Sequence, residues 1–305
     1  MSRARAQKRL WLPQHWPTWF GLGVFRLLNF LPWRAQRALG AALGAFVYYV
    51  IPIRRHVTLV NLRLCFPEKS AAEIRALARA HFRSLALGLF ETCTAWWSPP
   101  DRLPPHRIVG REHLEAAIAA KKGAILLTAH FTTLEICARM MTEQFALACL
   151  YRDPNNPVVA RKMLQQRERH MKLAVHFDDL KGLIRALRAG WAIWYAPDQG
   201  KRSTQSEILP FFGVPAITNT ATSKLAEMTR SPVVPYFARR DPDGSYTLTI
   251  LPPLDNFPTA SASADAARIN HLIEEHIRLA PEQYLWVHKR FKARGPEYPD
   301  VYKTP

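Results

Sequence analysis

The stretch Ala124–Glu135 carries the residues best placed to do chemistry. An apolar run, Ala124-Ile125-Leu126-Leu127, gives way to Thr128-Ala129, then His130, and Glu135 follows five residues later. A carboxylate that fixes an imidazole's tautomer and raises its basicity makes the histidine a base able to take a proton from a hydroxyl. In one unbroken helix a spacing of five turns the two side chains about 140° apart. They can meet only if His130 lies in a loop and Glu135 in the first turn of the helix that follows, with Thr132 as the N-cap that supplies the break. The same letters allow a plainer reading. Thr132-x-x-Glu135 fits a capping box, which would leave His130 a satisfied core histidine.

Those two residues need a scaffold, and the pattern around them supplies one. Ser70-Ala71-Ala72-Glu73 is a capping-box start, and Ile74, Leu77, Ala78, Phe82 and Leu85 continue it at helical spacing. After the breaker Ser98-Pro99-Pro100, short apolar runs alternate with amphipathic stretches. The expected strands are 108–109, 124–128, 146–151, 173–177, 191–195 and 233–238. A further one, 246–251, is a candidate antiparallel partner after the turn Asp241-Pro242-Asp243-Gly244. Helices are expected at 112–120, 133–144, 157–170, 179–189 and 218–229. Strand–helix alternation of this kind predicts an α/β fold with a largely parallel sheet flanked by helices. Ligands of such sheets sit beyond the carboxyl ends of the strands, where His130 falls.

Competing chemistries lack their residues. There is no G-x-G-x-x-G, no G-x-x-x-x-G-K-[ST] and no G-x-S-x-G, so dinucleotide, P-loop and nucleophile-elbow readings have no motif. The cysteines, Cys65, Cys93, Cys137 and Cys149, show no C-x-x-C spacing and no histidine cluster. They read as reduced, buried thiols, and neither a metal nor a cofactor is expected.

The charge of this 305-residue chain is lopsided. Its net formal charge is +18, and the first acidic residue is Glu68. Before it stand ten cations (Arg3, Arg5, Lys8, Arg9, Arg26, Arg34, Arg37, Arg54, Arg55, Arg63) and four tryptophans (Trp11, Trp16, Trp19, Trp33), set among long apolar runs. Basic and aromatic residues that bracket apolar segments suit a membrane interface. The longest uncharged run, 38–53, is interrupted by Gly40, Gly44 and Pro52 and falls short of the roughly 20 residues of a full span. No cleavable signal is evident. Tryptophans embedded in Leu, Phe, Val and Ala, without any recognised nucleic-acid motif, argue against nucleic acid. The expected division is therefore residues 1–67, a basic, aromatic-rich helical membrane anchor module (monotopic or a short single span), and 68–305, the α/β domain.

The segment His130-Phe-Thr-Thr-Leu-Glu135 resembles the His-x-x-x-x-Asp/Glu motif of glycerolipid-type acyltransferases. More specifically, the chain resembles the late acyltransferases of lipid A biosynthesis, the lauroyl/myristoyl type, whose branch carries Glu where the broader motif has Asp. Matching blocks run in order at Tyr151–Pro157 (YRDPNNP), Asp179–Leu187 (DLKGLIRAL), Trp194–Gly200 (WYAPDQG), Phe211–Thr218 (FFGVPAIT) and Trp286–Gly295 (WVHKRFKARG). The resemblance implies an acyltransferase that moves a fatty acyl chain from acyl carrier protein to a hydroxyl of a phosphorylated, Kdo-bearing lipid A precursor. It implies work at the cytoplasmic face of a bacterial inner membrane, with no acyl-enzyme intermediate. By the same resemblance His130 is the general base and Glu135 its orienting partner, while Arg167 binds phosphate or the oxyanion and Asp198 supports the site. The alternatives are acyl transfer to another glycolipid or a lysophospholipid, and a non-enzymatic basic protein that binds membrane surfaces.

Overall fold

The structure is a computed structural model that describes residues 10–295 and 297–303. The N-terminal cations Arg3, Arg5, Lys8 and Arg9, and the last two residues of the expected α/β domain, lie outside the described residues.

Three helices open the described chain: α1 (Trp16–Leu28), α2 (Trp33–Val50) and α3 (Pro52–Cys65). The long α4 (Ala71–Trp97) follows. Its start is the expected capping box: Glu73 Oε2 accepts from the Ser70 backbone N–H at 2.8 Å, and Ser70 Oγ accepts from Glu73 N at 3.3 Å. It stops before Pro99 and Pro100, the second of which starts a short 3-10 turn.

The sheet domain then runs β1 (His106–Val109), α5 (Arg111–Ala119), β2 (Ala124–Leu127), α6 (Leu134–Thr142), β3 (Leu147–Tyr151), α7 (Pro157–His170), β4 (Leu173–His176), α8 (Leu180–Arg188) and β5 (Ala192–Tyr195). It finishes with β6 (Ser206–Phe211), β7 (Val214–Asn219), α9 (Ala221–Thr229), β8 (Val233–Arg240), β9 (Tyr246–Ile250) and α10 (Ala262–Leu279). Seven strands form one sheet in the order β1-β9-β8-β2-β5-β3-β4. All neighbouring pairs are parallel except β8–β9. This is the expected α/β architecture, a largely parallel sheet with helices on both faces.

Central strands of such a sheet bury both faces and so read as continuous apolar runs. In β2, Ala124 and Leu126 enter one buried cluster with α5, α6 and α7, while Ile125 and Leu127 enter the other with α8, α9 and α10. Each of these four side chains is at most 1% exposed. Fully burying an Ile or Leu side chain is worth about 1.5–3 kcal/mol.

Leu22 of α1 packs against the first cluster, whereas helices α2 and α3 share the second instead of building a separate core. Tyr48, Val57, Leu62 and Cys65 lie in it together with Ile125 and Phe211. Gly44 makes the approach possible, because a Cβ there would stand 2.4 Å from the Arg83 Cα on α4. No single described helix is long and apolar enough to cross a membrane. The pair α2–α3 has the length and composition together, but it bends by 95° between Val50 and Pro52.

Two elements differ from the sequence reading. Residues 206–219 form a hairpin whose two-residue loop, Phe212-Gly213, has positive φ at both positions (52° and 73°), as a tight primed turn demands. The strand therefore runs on through Ile217 and Thr218, and α9 begins at Ala221, three residues later than expected. Helix α10 was not anticipated at all. Its signal was present: Ser261 caps it by accepting from Ala264 N at 3.2 Å, and Ala266, Ile269, Ile273 and Ile277 recur on its buried side.

Candidate active site

Strands β2 and β5 are parallel neighbours with a constant offset of 68 residues: Ala124 faces Ala192, and Leu127 faces Tyr195. Both strands end there, and the Thr128 N–H still donates to the Tyr195 carbonyl at 2.9 Å. Three residues beyond each end come His130 and Asp198, which carry the same offset of 68. The register thus brings the imidazole to the carboxylate. His130 Nδ1 lies 2.6 Å from Asp198 Oδ1, and the His130 backbone N–H donates to Asp198 Oδ2 at 3.1 Å. The Tyr284 hydroxyl donates to the same Oδ2 at 3.0 Å.

The remainder of the loop is held from two sides. Leu285 N donates to the His130 carbonyl (3.0 Å), and Thr132 N donates to the Gln283 carbonyl (2.7 Å). Gly88 on α4 sits so close that a Cβ there would stand 2.6 Å from the Thr132 carbonyl oxygen. The segment that supplies Tyr284 and Leu285 is itself anchored. Asn61 Nδ2 donates to the carbonyls of Trp286 (2.7 Å) and His288 (2.8 Å), and Arg290 donates to the Ile217 carbonyl (2.6 Å).

The electrostatics suit this pair to the parts of a base and its holder. The Asp198 side chain is 1% exposed, whereas that of His130 keeps 32% of its surface open. Burial would raise the Asp198 carboxyl, but the His130 charge and three donated hydrogen bonds outweigh it and hold the carboxyl below its usual range. Burial would likewise lower His130. The charge and hydrogen bond of Asp198 prevail over that and over the opposing Arg167 charge, so the imidazole rises above 6.5. An ionised Asp198 accepts from Nδ1–H, which leaves the Nε2 lone pair free for a substrate proton.

The expectation that Glu135 orients His130 is corrected by this geometry. Helix α6 starts at Leu134 with Thr133 as its N-cap, and no side chain caps it. Thr132 is engaged elsewhere, its hydroxyl 2.7 Å from Ser84 Oγ, so the expected capping box does not form either. Phe131 packs into the α8–α10 side of the sheet, whereas Ile136 to Met141 of α6 pack into the opposite side. The chain crosses over between them and carries Glu135 away from the imidazole. There Glu135 forms a part-buried ion pair with Arg167 of α7 and accepts from Trp96 Nε1 at 3.3 Å. Burial works against the Arg167 charge, but Glu135 outweighs it and keeps the guanidinium protonated. Of the four residues expected at the site, His130 meets Asp198 and Glu135 meets Arg167.

Tyr284 was missed, since nothing in its spacing links it to residues 130 or 198. A cavity of about 360 Å³ is lined by Val47, Ile51, Phe82, Gln199, Leu285 and His288 among others, and Gln199 and Leu285 directly follow Asp198 and Tyr284 in the chain. His288 is pushed down to about 4, mainly by burial and then by Lys292, and is neutral at pH 7. The four cysteines are free and buried. Burial raises Cys149 to about 11 and Cys93 to about 12 and moves Cys65 and Cys137 up as well, so none supplies a thiolate nucleophile at neutral pH.

A family model described as bacterial lipid A biosynthesis acyltransferase matches residues 3–293. Among curated proteins, the chain is similar to a lipid A biosynthesis lauroyltransferase of Escherichia coli (strain K12). The two are 39% identical over 293 residues, which cover 95% of this chain and 96% of that protein. A lipid A biosynthesis palmitoleoyltransferase of the same organism is 35% identical over 285 residues, covering 92% and 93% respectively. Among solved structures, the chain is similar to a 1-acyl-sn-glycerophosphate (LPA) acyltransferase from Thermotoga maritima, at 14% identity and a TM-score of 0.41, covering 81% of this chain and 97% of that one.

Proposed function

Since the chain belongs to the bacterial lipid A biosynthesis acyltransferase family and is thus an acyltransferase of lipid A biosynthesis, we propose that it moves a fatty acyl group from an acyl carrier protein thioester to a hydroxyl of a Kdo-bearing lipid A precursor, with His130 as general base. The observation that carries the mechanism is the imidazole held at Nδ1 by a buried carboxylate while 32% of its side-chain surface stays open. His130 Nε2 takes the acceptor's hydroxyl proton as that oxygen attacks the thioester carbonyl. The C–S bond then breaks, and the departing thiolate takes the proton back from the imidazolium, so the base is restored within one turnover. Asp198 stabilises the imidazolium between the two proton transfers, and Tyr284 and the His130 backbone N–H hold Asp198. Arg167, fixed by Glu135, adds a positive charge near the reacting centre, where an oxyanion develops. With no thiolate available, direct attack by the acceptor needs no acyl-enzyme.

The purified enzyme, given acyl carrier protein thioester and a Kdo-bearing precursor, should yield a product heavier by one acyl chain in mass spectrometry. Acylation of a lysophospholipid with the lipid A precursor untouched would refute the proposed acceptor.

The same proposal places the enzyme on the anionic cytoplasmic face of the inner membrane. Trp16, Phe20, Leu27, Phe30, Phe46, Tyr49 and Ile53 are each 61% exposed or more. On α2, Phe46 and Tyr49 lie opposite the buried stripe Gln36, Gly40, Gly44 and Tyr48, so the helix packs on α4 by one side and shows an apolar surface on the other. Val47 and Ile51 of the same helical pair line the cavity that Gln199 and Leu285 also line, so a lipid acceptor entering from the bilayer meets the residues that follow Asp198 and Tyr284. Apolar insertion resists salt, whereas attraction to anionic lipid weakens as the Debye length shortens. Membranes carrying the protein should therefore retain it through a high-salt wash and release it to detergent, and Phe46→Glu with Ile53→Glu should make it salt-extractable. Release of the unaltered protein by salt alone would rule out insertion.

A further inference from the structure

We propose that a second cavity, of about 650 Å³, between α2, α4 and the β8–β9 turn is a binding site for a phosphate or carboxylate group of a glycolipid headgroup. It is lined by four guanidinium groups, Arg37, Arg83, Arg239 and Arg240, against two carboxylates, Asp241 and Glu282. The volume is within the usual range for small-ligand sites.

The carboxylates are occupied. Asp241 takes Arg239 Nε at 2.8 Å and the Thr247 hydroxyl at 2.5 Å, and Glu282 Oε1 accepts from Gln283 Nε2 at 3.0 Å. The guanidiniums keep donors in reserve. Arg37 donates to the carbonyls of Asp243 (2.9 Å) and Pro242 (3.2 Å), which fastens α2 to the β8–β9 turn and uses two of its five N–H groups. Arg83 is exposed and forms no hydrogen bond or ion pair among the described residues. Arg240 forms the inner wall, its side chain nine-tenths buried and already engaged, with Nε on Glu91 at 2.6 Å and Nη1 on Ser84 at 3.3 Å, so Arg37, Arg83 and Arg239 are the cations left to meet a ligand. An oxyanion is the group that planar guanidinium donors match, two at a time.

The cavity is separate from the 360 Å³ one but touches the loop that carries His130. Ser84 and Gln283 line it, and they hold Thr132 through its hydroxyl (2.7 Å) and its N–H (2.7 Å). A headgroup anion seated here would reach the loop two residues from the base. The assignment to an acceptor rests on the acyl-transfer reading above, whereas the anion site itself does not.

The test uses the full-length protein in detergent micelles, with Arg83→Gln alone and together with Arg239→Gln. Arg75→Gln, an exposed position on α4 outside the cavity, serves as control. Calorimetric titration should show glucose 1-phosphate binding where glucose does not, and the double variant should weaken it about ten-fold, as expected for partly exposed charge-assisted hydrogen bonds. In turnover, KM for the anionic acceptor should rise by a similar factor. The kcat and the KM for the acyl donor should stay within about two-fold, and removing the acceptor's phosphates should cost the wild type this factor and the variant little. If glucose 1-phosphate binding falls while acceptor KM does not, weakened association of the variant with phosphatidylglycerol over phosphatidylcholine vesicles assigns the site to a membrane-lipid phosphate instead. Unchanged binding, acceptor KM and vesicle preference would overturn the site. If the wild type turns over no acceptor, the acyl-transfer reading fails, yet the calorimetric result still decides the anion site.

Discussion

Replacing His130 with alanine is expected to lower kcat by about 10²–10⁴-fold, the usual worth of a positioned general base, or about 2.7–5.4 kcal/mol of barrier. The side chain keeps 32% of its surface open, so little packing is lost, and the melting temperature should hardly move. The pH profile gives an independent check. Only the neutral imidazole accepts a proton, and its pKa lies above 6.5 in the folded enzyme. The rate kcat/KM should therefore fall as pH drops through a limb above 6.5, and the His130→Ala residue of activity should lack that limb. A purified, folded His130→Ala enzyme with near-normal turnover would eliminate the mechanism.

The second large effect is expected at Asp198. Asp198→Asn preserves shape but removes the charge that fixes the imidazole tautomer and stabilises the imidazolium, and it should cost up to about 10⁴-fold in kcat. The sign of the pH effect is opposite to what a general loss of activity would suggest. Burial alone lowers the His130 pKa, and the Asp198 charge is the main influence that lifts it above 6.5. With the carboxylate gone, the acid limb should move to lower pH while the plateau rate falls. Glu135→Gln should behave differently. It breaks the ion pair with Arg167 and leaves the Nδ1 contact intact, so the limb should stay near its wild-type position while turnover or acceptor binding declines. Should Glu135→Gln move the limb and Asp198→Asn leave it in place, Glu135 would be the orienting residue after all. Tyr284→Phe deletes only one donor to Asp198 and keeps the charge, so a smaller loss of kcat than Asp198→Asn is expected.

Much of this protein is local in origin and was legible without coordinates. The apolar run 124–127 needs two packed faces, the Ser70–Glu73 cap starts a helix wherever it occurs, and the alternation from residue 106 to 195 leaves few ways to build a sheet other than a parallel one. His130 beyond the end of its strand, the acid-free, tryptophan-rich beginning and the blocks shared with the lipid A acyltransferases all lie on the surface of the letters. The partner of His130 does not. Glu135, five residues away, offered the nearer carboxylate, and no spacing rule ties residue 130 to residues 198 and 284. That choice is made by the register of β2 on β5, which places equal distances past two strand ends side by side. It is also made by the apolar side chains of α6, which bury on the far side of the sheet and take Glu135 to Arg167. Periodicity and capping act over a few residues and belong to the sequence. A contact across 68 residues exists only once the two faces of the sheet have packed, because packing alone determines which strands become neighbours and on which side each carboxylate emerges.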